Sequence, residues 1–103
     1  MNTLDKLLGP RIEHTIDDGE GGEFTVSVRP RRTGIPVTRN TMVSFRRPGE
    51  RPSKGFGCRV WGLRLALRVG ERMDRDPVLE SSVRITQVAA RNALAWVDTI
   101  EAA

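Results

Sequence analysis

Residues 11–29, RIEHTIDDGEGGEFTVSVR, decide the fold. Apolar and polar side chains alternate over residues 12–16 and again over residues 23–29. A period of two is typical of strands that bury one face. The Asp- and Gly-rich segment 17–22 separates the two runs, so we predict a β-hairpin with a turn there. The side chains expected to point inward are Ile12, His14, Ile16, Phe24, Val26 and Val28.

A third, weaker strand is predicted over residues 40–47, where the alternation resumes. Its two faces carry Met42, Ser44 and Arg46 on one side and Val43 and Phe45 on the other. Residues 48–55, PGERPSKG, are dense in Pro, Gly and Ser, and this composition is typical of a loop.

Residues 58–70, CRVWGLRLALRVG, fit a helix poorly, because their apolar side chains would scatter around its whole circumference. Written as a strand, the segment has two distinct faces. One face carries Trp61, Leu63, Leu65, Leu67 and Val69, and the other carries Val60, Gly62, Arg64, Ala66 and Arg68. We therefore predict a strand, long enough to lie at the centre of the sheet.

Helices are predicted towards both ends of the chain. Thr3 can cap a short N-terminal helix that ends at Gly9-Pro10. Asp76-Pro77 favours a helix start, and this helix is expected to run to about residue 101. Its apolar stripe consists of Ile85, Ala89, Ala93, Trp96, Val97 and Ile100.

Together these elements predict an α+β domain that spans residues 1–103 as a single unit. It consists of a small antiparallel sheet of about four strands, the first two a hairpin, packed against a long C-terminal helix, with a short N-terminal helix. The C-terminal helix is expected to cover the Trp61–Leu67 face of the fourth strand.

Composition points to the cytoplasm. No apolar run approaches the roughly 20 residues that span a bilayer. The first residues, MNTLDKLLGPR, are too short and too acidic for a secretory signal. Cys58 is the single cysteine, so no intrachain disulfide can form and a reducing compartment is expected.

Charge is concentrated in residues 29–59, which we call the basic segment. It carries nine Arg and Lys residues against one acid, Glu50, while the whole chain has a net charge of +4. A field of this kind favours an anionic partner. The predicted binding residues are Arg29, Arg31, Arg32, Arg39, Arg46, Arg47, Arg51, Lys54 and Arg59, extended across the sheet by Arg64 and Arg68. The arginines of strands two and three are expected to collect near one end of the sheet.

Catalytic chemistry is not predicted. The chain has one His, one Cys and no Tyr, so general acid and base groups are scarce. His14 is expected to be a packed residue, and Cys58 a small core hydrophobe. Neither the spacing of His14 nor the acidic turn of Asp17, Asp18, Glu20 and Glu23 fits a metal site, so no metal or cofactor is expected.

Two hypotheses for function follow. The first is a small non-catalytic protein that grips the phosphates of a nucleic acid through the basic segment. The alternative is a protein–protein interaction module, such as a phage-type inhibitor or virion assembly subunit, that docks on an acidic protein surface. A homo-oligomer or larger assembly is a further expectation, since the acidic turn of one copy could contact the basic segment of another.

Overall fold

The computed structural model describes residues 11–29 and 37–101. In chain order, the elements are β1 (Ile12–Asp17), β2 (Glu23–Val28), β3 (Met42–Arg46), a 3-10 turn (Pro52–Lys54), β4 (Phe56–Arg59), α1 (Val60–Arg72), β5 (Val78–Leu79), β6 (Val83–Arg84) and α2 (Gln87–Glu101). The α+β class is therefore confirmed. The predicted N-terminal helix lies outside the described residues.

Four strands form one antiparallel sheet in the order β1-β2-β3-β4. The register pairs Ile16 with Phe24, and Val28 with Val43. The third strand is shorter than predicted, but its faces are as expected, since Val43 and Phe45 are buried. The helix-facing side of β2 and β3 thus forms the floor of the core.

The first pair of strands is antiparallel, but its inward face is only partly buried. Ile16 is in the core, whereas Ile12 and His14 are exposed. His14 stacks on Trp96 of α2, with ring centroids 5.5 Å apart and the planes inclined by 11°. The far end of β1 is therefore covered by an aromatic contact rather than by the core.

The Asp18 carboxylate organises the turn between β1 and β2. Oδ1 of Asp18 accepts hydrogen bonds from the backbone N–H groups of Glu20 (2.7 Å) and Gly22 (2.9 Å). The Thr86 hydroxyl, just before α2, donates to the Asp18 carbonyl. Gly19 has a φ of +80° and lies against Val88 of α2. The acidic turn is thus tied to the C-terminal helix.

The strand predicted over residues 58–70 is wrong. Only Phe56–Arg59 forms a strand, and from Val60 onwards the chain is helical. The helix α1 buries Val60, Leu63, Leu67 and Gly70, at spacings of three and four. Trp61 and Leu65, which the strand would have placed beside Leu63, are exposed instead.

The helix predicted from Asp76 starts ten residues later. Residues 78–84 form a small hairpin, in which Glu80 and Ser81 have positive φ values. Thr86 then caps α2, because its hydroxyl accepts the N–H of Ala89 at 3.0 Å. Asp76 still contributes to this helix end, since its Oδ1 accepts the N–H of Gln87 at 3.2 Å.

The C-terminal helix packs much as its stripe predicted, with Ala89, Ala93 and Val97 fully buried. Its neighbours, however, are β1 and α1. The predicted docking on a Trp61–Leu67 strand face is therefore wrong. The alanines let α2 approach closely, and one core joins both helices to the sheet.

Candidate functional site

The basic segment is divided between two ends of the sheet. Arg29, at the end of β2, lies near the start of β3, because Val28 pairs with Val43. Arg46 pairs with Thr25, which lies four positions before Arg29. At about 3.3 Å per residue this offset is about 13 Å. The expected convergence of these arginines is therefore wrong, and Arg31 and Arg32 lie outside the described residues.

Arg46 forms its contacts within the protein itself. Its Nη2 atom lies 2.7 Å from Oε1 of Glu13 on β1, so the side chain crosses over β2. Its Nη1 atom donates to the carbonyl of Glu50 at 3.1 Å. The side chain is 17% exposed and its charge is matched within the chain. Little of this guanidinium is offered to a partner.

Arg47 is also engaged internally. Its Nη1 atom lies 2.5 Å from Oδ2 of Asp18 and donates to the Glu23 carbonyl at 3.1 Å, while its guanidinium lies 4.0 Å from the Phe24 ring centroid. The Arg47 hydrogen bond, followed by the N–H groups of Glu20 and Gly22, lowers the pKa of Asp18 to about 2. This ion pair locks the turn to the sheet.

The remaining described cations of the basic segment are more open. Arg39, Arg51, Lys54 and Arg59 are exposed, and none of them forms an ion pair with another described residue. Arg39 and Arg59 meet where α1 begins, because the Arg39 carbonyl accepts the N–H of Trp61 at 3.0 Å. Arg51 and Lys54 lie in the loop beyond the other end of β3.

Arg64 and Arg68 do not lie on the outer face of the sheet, as the predicted strand required. Both are on α1, where with Arg72 they recur every four residues. Arg64 forms an ion pair with Asp98 of α2 at 2.5 Å, whereas Arg68 and Arg72 are exposed. We call these three residues the arginine row.

Beside the arginine row, α1 exposes an apolar stripe. Trp61, Leu65, Val69 and Met73 are 44%, 51%, 44% and 54% exposed. They also recur every four residues, so they form one continuous line along the side of the helix opposite the core. Most exposed apolar residues occur singly, whereas contiguous exposed apolar surface is typical of interaction sites.

The stripe borders a cleft of about 340 Å³. Its floor consists of Gly62, Ala66 and Gly70, and Pro77 and Val78 form the opposite wall. Gly70 must be glycine, because a Cβ there would lie 2.7 Å from the carbonyl oxygen of Arg75. A Cβ on Gly62 would meet only the sulfur of Cys58, at 3.7 Å. We call the stripe and this cleft together the α1 groove.

Sequence reasoning missed the groove although its signal was present. Three sets of residues repeat with a period of four between positions 61 and 73: large apolar, small, and arginine. The apolar residues surrounded the helix because it has two apolar sides. One side, with Leu63 and Leu67, enters the core, and the other, with Leu65 and Val69, faces outward.

Cys58 and His14 carry the one thiol and the one imidazole of the chain. Burial, and secondarily the charge of Glu80, raises the pKa of Cys58 to about 11, which holds it as the unreactive thiol. His14 is stacked on Trp96. Across residues 11–29 and 37–101, no cluster of three His, Cys, Asp or Glu side chains could hold a metal ion. Neither described helix is long and apolar enough to cross a bilayer.

Comparison of the chain with protein-family models, with curated proteins and with solved structures finds no match.

Proposed function

We propose that the protein is a non-catalytic binding module that docks on an acidic protein surface through the α1 groove. The observation that carries this proposal is the exposed stripe of Trp61, Leu65, Val69 and Met73 alongside the arginine row. Trp, Met and Arg are the side chains most enriched in the centres of protein interfaces.

Burial of the apolar stripe would supply affinity for a partner. Covering it removes apolar area from water, which stabilises a complex by about 25 cal/mol per Å² before the costs of association. Arg68 and Arg72 add selectivity, because they favour carboxylates on the partner and repel basic surfaces. This assignment differs from the hypothesis drawn from the sequence, in which the charge of the basic segment supplies the binding. Here apolar contact supplies the affinity, and charge selects the partner.

A nucleic acid is the second candidate, and a different observation favours it. Arg39 and Arg59 lie at the start of α1 together with the exposed Trp61, because the Arg39 carbonyl accepts the Trp61 N–H and Arg59 is the residue before the helix. A single strand could place phosphates on the two arginines and stack a base on the indole. The internal pairing of Arg46 and Arg47 weighs against the broader phosphate ridge expected from the basic segment.

Affinity capture from the native host, with and without nuclease, separates the two candidates. Val69→Asp places a charge on the stripe, and Val88→Asp is its matched control, because Val88 is exposed on α2 outside the groove. Docking predicts a stoichiometric partner that survives nuclease, is lost with Val69→Asp and is retained with Val88→Asp.

Nucleic-acid binding predicts the opposite pattern. Arg39→Glu with Arg59→Glu would then abolish capture, nuclease would release the material, and affinity would fall steeply with salt. A partner that survives nuclease and binds Val69→Asp as well as the wild type would contradict docking through the α1 groove.

A further inference from the structure

The outer face of the sheet, which is the side away from the helices, carries small polar residues at its centre. Side chains alternate along a strand, and Val26 and Val43 are buried in the core that the sheet shares with the helices. Their neighbours Ser27 and Ser44 therefore lie on the outer face. The two serines are direct partners across β2 and β3, and Ser44 pairs in turn with Gly57 of β4. A Cβ on Gly57 would lie 3.4 Å from Oγ of Ser44, so glycine leaves this hydroxyl open on the side of β4.

Two adjoining hollows lie over this pair of serines. Both are lined by Arg11, Ser27 and Ser44. The smaller hollow has a volume of about 90 Å³ and is completed by Arg46 and Pro52. The larger has a volume of about 230 Å³ and extends towards the end of the sheet where β3 begins. We call the two hollows together the outer-face site.

The smaller hollow contains hydrogen-bond donors that the described chain does not use. Ser27 is only 4% exposed, yet its hydroxyl forms no hydrogen bond with another described residue. Nε of Arg46 is buried and also has no acceptor among the described residues. The great majority of buried polar groups in native proteins are hydrogen-bonded, so donors of this kind indicate a place for an acceptor group.

Positive charge remains available at this hollow. The guanidinium of Arg11 forms no ion pair with another described residue. Glu13 pairs with Ser27 in the register and lies on the same face, but Arg46 binds its carboxylate at 2.7 Å. The charge of Glu13 is therefore matched, and an anion in the hollow would meet the charge of Arg11.

A phosphate group matches this set of donors. Its tetrahedral oxygens accept hydrogen bonds from several directions, here from the hydroxyls of two strands and from the Arg11 guanidinium. A long nucleic-acid strand matches the face less well, because Asp17 and Glu23 pair with each other further along the same face. Their carboxylates would repel a backbone that continued across the sheet. The donors therefore favour a single phosphate on a small molecule.

The larger hollow offers space for the rest of such a molecule. Arg29 and Met42 line it, and Met42 is 46% exposed. A thioether makes favourable contacts with aromatic rings, and a guanidinium plane stacks on them. An organic group attached to the phosphate would thus contact these two side chains.

We propose that the outer-face site binds a small phosphate monoester, with its phosphate in the smaller hollow and its organic group in the larger one. Arg11, Ser27 and Ser44 hold the phosphate, and Met42 contacts the organic group. The site lies on the opposite side of the sheet from the helices, so it is separate from the α1 groove and does not depend on the docking function.

Isothermal titration calorimetry on the intact protein, at constant ionic strength, tests the proposal. Phenyl phosphate is the monoester, inorganic phosphate is the free anion, and phenol is the organic group alone. We expect saturable 1:1 binding of phenyl phosphate and no binding of phenol. Inorganic phosphate should bind roughly tenfold more weakly, because it leaves the larger hollow empty of apolar contact.

Variants assign the binding to the outer-face site. Arg11→Gln, and separately Ser27→Ala with Ser44→Ala, should weaken both phosphate probes by about tenfold or more. Met42→Ala should weaken phenyl phosphate and leave inorganic phosphate unchanged. Arg68→Gln makes the same change of charge on the exposed surface of α1 and should bind as the wild type does. Thermal unfolding verifies that each variant is folded.

Each adverse result overturns the inference. Absence of binding by both phosphate probes excludes the site, and phenyl phosphate binding that is unchanged in Arg11→Gln and in the double serine variant lies elsewhere. Equal affinities for phenyl phosphate and inorganic phosphate would mean that the site holds a free anion and not an ester. If a short DNA duplex binds and is lost with Arg11→Gln, while phenyl phosphate does not bind, the face belongs to a nucleic acid. Capture of a protein partner through the α1 groove is unaffected by any of these results.

Discussion

Leu63 and Leu65 lie on opposite sides of α1. Leu63 is 0% exposed and enters the core, whereas Leu65 is 51% exposed and lies in the apolar stripe. Two residues along a helix are about 200° apart, so the short separation in sequence becomes the full diameter of the helix. One residue of this pair therefore belongs to the core, and the other belongs to the proposed binding surface.

Alanine at these two positions should change the free energy of unfolding by very different amounts. Leu63→Ala leaves a cavity in the core and is expected to cost about 2–5 kcal/mol in the free energy of unfolding. Leu65→Ala removes exposed atoms and is expected to change that free energy by less than about 0.5 kcal/mol. Urea unfolding followed by circular dichroism measures both. Equal losses would indicate that the two side chains share one face.

The sheet was the part of the fold that the sequence predicted well. Alternation over residues 12–16, 23–28 and 42–46 is a local signal of strands with one apolar face. In β2 and β3 this face is buried, with Phe24, Val26, Val43 and Phe45, whereas β1 buries only Ile16. The exposure of His14 was not predictable from the alternation, which placed this residue inward. Its stacking contact is with Trp96, which lies more than eighty residues away in sequence.

The helix α1 was missed for a physical reason. Amphipathic patterns identify a helix when one side is apolar and the other polar, and α1 has apolar residues on both. Its period-four repeats of arginines and of small residues carried the information instead. The helix start predicted at Asp76-Pro77 was wrong for another reason. A side chain can accept a hydrogen bond from the first turn of a helix that starts several residues later, as Asp76 does from the N–H of Gln87.

The candidate site depended on contacts between distant residues. Sequence reasoning assigned Arg46 and Arg47 to a partner, but Glu13 and Asp18 neutralise them across the sheet. Strand register determines which arginines remain exposed. Register in turn is set by packing over the whole sheet. Arg39 and Arg59 remain as predicted binding residues of the second candidate function.

Two glycines of the first turn give a matched test of its packing against α2. Gly19 and Gly21 have φ values of +80° and +84°, so alanine at either is strained. A Cβ on Gly19 would also lie 2.8 Å from Cβ of Val88, whereas nothing lies within 4 Å of one on Gly21. We expect Gly21→Ala to cost about 1 kcal/mol and Gly19→Ala clearly more.

Thermal unfolding of both glycine variants is the measurement. Equal losses would show that backbone strain alone accounts for both, and that Gly19 does not pack against Val88.

Arg47 and Arg51 test which arginines of the basic segment are structural. Arg47→Ala leaves the Asp18 carboxylate without its ion pair and uncovers Phe24, so it should lower the melting temperature. Arg51→Ala removes an exposed side chain and should change stability by less than about 0.5 kcal/mol. Differential scanning fluorimetry compares the two, and a stable Arg47→Ala would contradict the structural role.

The Cys58 thiol should react slowly in the folded protein. Its pKa is raised from 9.0 to about 11, so at pH 8 its thiolate fraction is lower by a factor of about 100 than that of an ordinary thiol with the starting value. We expect alkylation by iodoacetamide to be slow in buffer and to accelerate in urea, with Cys58→Ser as the unlabelled control. Rapid alkylation of the folded chain would show that the thiol is neither desolvated nor near Glu80.

Stability should fall in acid through Asp18. Its pKa is 3.8 before folding and about 2 in the fold, so the folded state favours the carboxylate. The resulting stabilisation is complete above pH 4 and is lost as the pH falls from about 4 to 2. Since Asn keeps an acceptor for the N–H groups of Glu20 and Gly22 but carries no charge, Asp18→Asn should lose this part of the pH dependence.

Urea unfolding at a series of pH values gives the difference in the free energy of unfolding between wild type and variant. That difference should shrink towards pH 2, and it should be smaller in an Arg47→Ala background, because Arg47 is the largest cause of the lowered pKa. A difference that is constant from pH 6 to pH 2 would show that the ion pair does not stabilise the fold.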